Sequence, residues 1–208
     1  TNGSSFNTTT LPTNIGSNKP IYFTNQNTGY FIGSNRYLYK STNKGFNWVQ
    51  WGLPDMYMSN YKFTDSLTGY MCGYYASSVP GLIKKTTNGG ANWTEILRDT
   101  ASSIPKISFV NSYTGYAVAG SKKLYRTTNG GLNWSMQIPD TSSLASIIGI
   151  HFINAYTGWL VGNFGAVLYT SNGGSTFAEE PIAAVPDKFR LGQNYPNPFN
   201  SSSKFKFE

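Results

Sequence analysis

The chain has 208 residues, enough for one domain of moderate size, and 39% of them are hydrophobic, so a packed core is within reach. Charged residues make up only 12%, against roughly 25% in average globular domains. The net charge of +7 is scattered along the chain, which argues against a nucleic-acid partner. The two basic pairs, Lys84-Lys85 and Lys122-Lys123, read as equivalent positions just before a turn, on a solvated strand face. The single cysteine, Cys72, excludes an intrachain disulfide. No segment reaches the ~18 continuous apolar residues of a membrane span. The chain starts at Thr1 rather than Met, so the lack of a leader does not count against export.

In sequence order, Asn2 to Phe6 resembles a shortened turn with its aromatic, and Phe6 to Pro12 a strand ending in proline. Residues 1–12 are therefore expected to be the remnant of a preceding repeat. Residues 13–180 hold four repeats, about 21–55, 56–100, 101–140 and 141–180. Each opens on a block ending in Gly and an aromatic: Phe23 to Tyr30, Phe63 to Tyr70, Phe109 to Tyr116 and Phe152 to Trp159. A further glycine follows each, at Gly33, Gly73, Gly120 and Gly162.

Each repeat then carries a second block, Ser/Thr-x-Asn-x-Gly-x-x-Trp/Phe. The copies are Ser41, Asn43, Gly45, Trp48; Thr86, Asn88, Gly90, Trp93; Thr127, Asn129, Gly131, Trp134; and Thr170, Asn172, Gly174, Phe177. The aromatic recurs at spacings of 45, 41 and 43 residues. Two blocks in fixed order, four times over, make an internal repeat the strongest signal in the sequence.

Short runs of β-formers between Asn-Gly and Thr-Gly turns predict four antiparallel strands per repeat and almost no helix. The first carries Ile-x-Phe, the second follows the Gly-aromatic step, and the third is of the type Leu124 to Thr127. The fourth is expected to begin at Asn-Trp. The Asn and Gly of the turn are expected to supply positive φ. The Asn side chain accepts from nearby backbone N–H groups, and the aromatic packs between neighbouring sheets.

These residues resemble the Asp-box, or bacterial neuraminidase repeat. Over its full length each repeat is similar to the blades of the photosystem II assembly-factor family of β-propellers. The likeness covers about residues 21–178 and departs at the Asp, which is Asn in all four copies. It implies an all-β, β-propeller-type array of four four-stranded repeats. Five fourth-strand segments against four of each other strand favour a piece of a larger propeller over a closed four-bladed ring. The stretch from Phe189 to Asn200, with Ser203 to Glu208 after it, resembles the opening of the type IX secretion C-terminal sorting domain. It departs at Ser201 and Phe205. This implies a truncated sorting domain over 189–208 behind a linker at 181–188. It also implies engagement by the type IX secretion machinery and a secreted or outer-membrane cell-surface location in a Gram-negative bacterium.

No catalytic constellation is legible. A sialidase-like site needs an arginine cluster and an acid. Arg36 and Arg126 are the one conceivable pair, near the third strands of separate repeats. The carboxylates Asp55, Asp65, Glu95, Asp99 and Asp140 fall mostly in connecting loops. His151, the single histidine, reads as a strand-face residue rather than a metal ligand, and Cys72 as a buried core residue. No cofactor motif is present, since every Gly-Gly belongs to a repeat turn. Trp51, Tyr57, Tyr74 and Tyr75 are candidate stacking residues for a sugar or peptide, with Arg36 and Arg126 as accessory binding residues. The expected function is a non-catalytic binding or scaffold module for a protein or polysaccharide. A carbohydrate-active hydrolase fragment is the alternative. An assembly-chaperone role is set aside because the sorting segment directs the protein outside the cell.

Overall fold

The computed structural model describes residues 21–34, 37–52, 56–75, 79–120, 122–139, 146–175 and 178–179. The proposed remnant at 1–12, the linker and the sorting segment lie outside them. The described residues form four separate four-stranded antiparallel sheets, each built from consecutive strands. Sheet 1 comprises β1 (Tyr22–Phe23), β2 (Gly29–Ile32), β3 (Leu38–Ser41) and β4 (Val49–Gly52). Sheet 2 comprises β5 (Tyr57–Phe63), β6 (Gly69–Tyr74), β7 (Gly81–Thr86) and β8 (Thr94–Asp99). Sheet 3 comprises β9 (Lys106–Phe109), β10 (Gly115–Ala119), β11 (Lys123–Thr127) and β12 (Ser135–Gln137). Sheet 4 comprises β13 (Ile147–Phe152), β14 (Gly158–Gly162), β15 (Val167–Thr170) and β16 (Ala178–Glu179). One 3-10 turn, Asn163–Gly165, is the helical content among the described residues. The predicted all-β propeller-type array is what the protein forms. The fourth strands begin just after the Trp, not at Asn-Trp as expected.

Both hairpins of each sheet are closed by short side chains acting on the backbone. In the first, Asp65 Oδ1 accepts from the N–H groups of Leu67 and Thr68 at 2.8 and 2.7 Å, and Asn25, Asn111 and Asn154 repeat this. In the second, Gly90 N–H donates to Thr86 Oγ1 at 2.9 Å, while that hydroxyl donates to Asn88 Oδ1 at 2.9 Å. Asn92 N–H reaches the same Oδ1 at 2.9 Å. Ser41 with Asn43 and Thr127 with Asn129 make the same set, and Thr170 with Asn172 the part of it that falls on described residues. The one oxygen of Asn does the accepting, so a carboxylate is not required there. The two hairpins are tied together by Gly89 N–H to Leu67 O, Gly130 N–H to Tyr113 O and Gly173 N–H to Tyr156 O, all 2.7–2.8 Å.

The expectation that Asn takes positive φ is corrected. The two residues after it do so: Gly89 and Gly90 at 66° and 88°, Gly130 and Gly131 at 69° and 88°. In the first repeat the leading position is Lys44, held at φ 63° without a glycine's freedom.

The core lies between sheets. One apolar cluster joins sheets 1 and 2 through Tyr30, Ile32, Leu38, Met58, Phe63 and Met71, and two further clusters join 2 to 3 and 3 to 4. At each junction a second-strand tyrosine stacks on the first-strand phenylalanine of the next sheet. Tyr30 lies 3.8 Å from Phe63, Tyr70 3.6 Å from Phe109 and Tyr116 3.5 Å from Phe152, with interplanar angles of 5–9°. Trp93 and Trp134 meet the same phenylalanines edge-on at 6.0 and 6.1 Å. Each hydroxyl then donates to a backbone carbonyl of the next sheet's first hairpin: Ser66 at 3.2 Å, Ser112 at 2.7 Å and Ala155 at 2.7 Å. Burying each ring contributes about 2–3 kcal/mol, and the ring geometry about 0.5–1.5 kcal/mol more.

The basic pairs depart from the reading of a solvated face. Lys84 is 8% exposed, and Lys85 reaches across the junction to the Gly130 carbonyl at 3.0 Å. Lys123 starts β11, at the opposite end of its strand from the turn, so the two pairs are not equivalent. The lysine equivalent to Lys85 is Lys40, and Arg126 and Tyr169 hold that place in sheets 3 and 4.

Lys44→Gly is expected to raise stability by about 0.5–1 kcal/mol, the relief of left-handed strain less the entropy a glycine adds to the unfolded state. Urea unfolding checks this, and the other three turns provide the reference geometry.

Candidate functional site, an axial cleft between first strands

The sheet order places β5, β9 and β13 at the inner edge of their sheets, and these edge strands pack beside one another, β5 against β9 and β9 against β13. Between them is a cavity of about 420 Å³. Its polar lining is Asn60, Lys62, Ser108 and His151, set among Tyr61, Ile107, Ile150 and Ile153. Strand alternation explains the lining. Phe63, Phe109 and Phe152 turn to the sheet junctions, so Lys62, Ser108 and His151, one residue earlier, turn to the axis. Tyr22 holds the same position in sheet 1. Its hydroxyl accepts from Lys62 Nζ at 2.6 Å, and the ammonium lies 4.2 Å from its ring centroid. Phe152 N–H donates to Ser108 Oγ at 3.1 Å, a side-chain bond that ties β13 to β9.

The residues singled out from sequence do not form one platform. Trp51 is 38% exposed, but its indole N–H donates to the Gly89 carbonyl at 2.7 Å and its ring receives Lys40 Nζ at 4.3 Å. It spans the first junction at the turn end of the sheets. Tyr57 and Tyr74 are cross-strand partners, stacked at 5.6 Å, at the other end of sheet 2. Tyr75 lies nearby under Arg98, which is itself paired with Glu95 at 2.7 Å. Arg126 is drawn into the third junction, its guanidinium 6.0 Å from the Tyr116 ring and 3.5 Å from the Ala155 carbonyl. A Cβ at Gly173 would lie 2.8 Å from the Ala155 carbonyl oxygen and 3.1 Å from that guanidinium, and the backbone contact with a φ of 74° requires glycine there. Arg36 and Phe177 lie outside the described residues, as do Asp55 and Asp140.

The described carboxylates serve the fold. Asp65 closes its own hairpin. Burial alone would raise its pKa, yet the Thr68 and Leu67 N–H groups and the Thr68 and Thr64 hydroxyls hold it below its ordinary value. Asp99, 5% exposed, accepts from Ala101 N–H at 2.9 Å, Tyr125 hydroxyl at 3.0 Å and Lys123 Nζ at 3.2 Å, joining sheet 2 to sheet 3. Burial again raises its pKa, and these donors together lower it. Burial, with Asp65 adding to it, lifts the Tyr30 and Tyr70 hydroxyls to about 12, so both remain donors at neutral pH. Cys72 is buried. Among the described residues no three His, Cys, Asp or Glu side chains are grouped to hold a metal. No described helix is long and apolar enough to cross a membrane.

The sequence profile of the photosynthesis system II assembly factor YCF48 family matches residues 1–145. The chain belongs to that family. It is 30% identical over 80 residues to the photosystem II assembly lipoprotein Ycf48 of Synechococcus sp. (strain CC9902), a match covering 38% of this chain and 24% of that protein. Among solved structures, YCF48 bound to a D1 peptide is similar, with a TM-score of 0.53 at 22% identity over 60% of this chain and 40% of that one. A GH74 enzyme of Niastella koreensis gives 0.60 at 17% identity over 75% of this chain and 28% of that enzyme. At these identities the structures show a shared fold and nothing of shared chemistry. The chain spans about a quarter of the curated relative it matches. The family is described by its photosynthesis system II assembly factor.

Asp99→Asn is expected to cost about 1–2 kcal/mol at neutral pH, since Lys123 stays partly solvated. Because the folded pKa of Asp99 lies below its ordinary 3.8, the contribution is fully present above that value. It is lost as pH falls through the depressed folded value. Thermal melts of both proteins should show a constant gap above pH 5 that closes in acid.

Proposed function

We propose that this protein is an exported, non-catalytic module that binds an extended segment of a partner protein in the axial cleft. The observation that carries this is the character of the lining: β9 and β13 approach the cleft as sheet-edge strands, flanked by polar side chains. Edge strands offer backbone donors and acceptors in the spacing of an extended peptide, and alternate side chains give specificity. The family's assembly role and the D1 peptide bound by a YCF48 of known structure support a protein ligand over a polysaccharide. The described lining of the cleft, without Asp or Glu, fits binding better than glycoside hydrolysis, which needs two apposed carboxylates. Export rests on the resemblance of Phe189 to Glu208 to a type IX sorting domain.

A labelled library of uncharged and charged decapeptides, read by fluorescence anisotropy, tests the cleft. Some members should bind with micromolar affinity. His151→Trp, which fills the cleft from an exposed position, should abolish that binding at unchanged melting temperature. Binding unaffected by His151→Trp, or turnover of fluorogenic glycosides, contradicts the reading. Export is checked separately in a host with type IX secretion. The full-length gene product should reach the cell surface or medium, and a version lacking the segment from Phe189 onward should stay inside.

A further inference from the structure

We propose that the ligand of the axial cleft is anionic, a peptide that presents a carboxylate to Lys62, Ser108 and His151. This rests on the reading of the cleft as a peptide site and names the chemistry it selects. The first-strand phenylalanine, the Gly before the second-strand aromatic and the Ser/Thr-x-Asn-x-Gly turn recur in all four repeats. The position before each first-strand phenylalanine is different in every sheet: Tyr22, Lys62, Ser108 and His151. Structural uniformity beside local variety places the chemistry at that ring of positions.

Every one of these side chains has a proton to offer. The Lys62 ammonium is steadied by the Tyr22 hydroxyl at 2.6 Å and keeps two further N–H groups. Ser108 Oγ accepts from Phe152 N–H, which leaves its own O–H to donate. His151 is exposed on β13 with an imidazole N–H available. Among the described residues no Asp or Glu lines the cleft to neutralise them. The described carboxylates nearest in sequence are engaged elsewhere: Asp65 with its own hairpin, Glu95 with Arg98, Asp99 with Lys123. A ligand without acceptors would leave the remaining donors of this set unpaired. A carboxylate, with two oxygens and about four acceptor sites, offers an acceptor to each of these donors. The net charge of +7 favours approach of the same kind of ligand.

The carboxylate has two sources, an acidic side chain or the C-terminus of the peptide, and the test separates them. Three fluorescein-labelled octapeptides are titrated by anisotropy: one with two central Glu and an amidated end, one uncharged with a free C-terminal carboxylate, and one uncharged and amidated. Polygalacturonate serves as competitor. One carboxylate-bearing peptide should bind at least about tenfold more tightly than the uncharged amidated one, and its identity names the source. Lys62→Gln and His151→Ala should each weaken it by about fivefold or more, while Lys44→Gln, at an exposed turn, leaves it unchanged. Should Lys62→Gln fail to fold, the exposed His151→Ala carries the same comparison. If the uncharged amidated peptide binds as tightly and is lost in His151→Trp, the anion inference fails and the peptide site stands. If no peptide binds, both fail. Displacement by polygalacturonate at lower concentration than by any peptide overturns the peptide class in favour of an acidic polysaccharide.

Discussion

Sheets 2, 3 and 4 each depend on the tyrosine that the preceding sheet lays over their first-strand phenylalanine. A sheet of four strands two to seven residues long cannot bury its two faces alone, so its stability comes from its neighbours. The stack at Tyr30 and Phe63, repeated twice more, fixes that neighbour in three ways at once. The rings bury apolar area, the hydroxyl registers the next hairpin through its carbonyl, and the closeness of the rings demands glycine beside them. A Cβ at Gly115 would lie 2.3 Å from the Phe109 ring, which is why Gly precedes the aromatic in every repeat.

The polar chemistry of the repeat is arranged around that contact. Ser or Thr and Asn close the second hairpin, so its glycines can approach the neighbouring sheet, and Lys85 and Arg126 reach carbonyls on the far side. In sheet 4 the equivalent positions are Trp159, Val161, Val167 and Tyr169. Val161 and Val167 are 39% and 38% exposed, whereas Val118 and Leu124 are fully buried. Trp159 and Tyr169 pack on each other at 5.6 Å and 49°. Sheet 4 thus replaces the hydroxyl and the cation of the junction with aromatic surface.

Much of the fold was legible because the repeat repeats: two aromatic-glycine blocks in fixed order define sheet boundaries without any knowledge of long-range contacts. The hairpin side chains Ser41, Asn43 and their counterparts were readable for the same reason, since they act within five residues of sequence. Pairing across the junction was not readable. Tyr70 and Phe109 recur conspicuously, yet nothing local says that one covers the other 39 residues away. For the same reason Lys85 and Arg126 looked like solvated or ligand-binding cations, when they serve the neighbouring sheet. The cleft was hidden in the sequence because the loop aromatics are the more conspicuous feature. Its signal lay in a first-strand position that varies, Lys62, Ser108 and His151, next to one that never does. Fold and site therefore divide the same strand: alternate side chains hold the array together and face its axis.

A double-mutant cycle at Tyr70 and Phe109, with both changed to Leu, tests the junction most directly. Urea unfolding should give a coupling of about 0.5–1.5 kcal/mol for that pair and additivity for Tyr70 with Phe152, which do not touch. Additive effects at Tyr70 and Phe109, within about 0.3 kcal/mol, would contradict the claim that cross-sheet stacking organises the array.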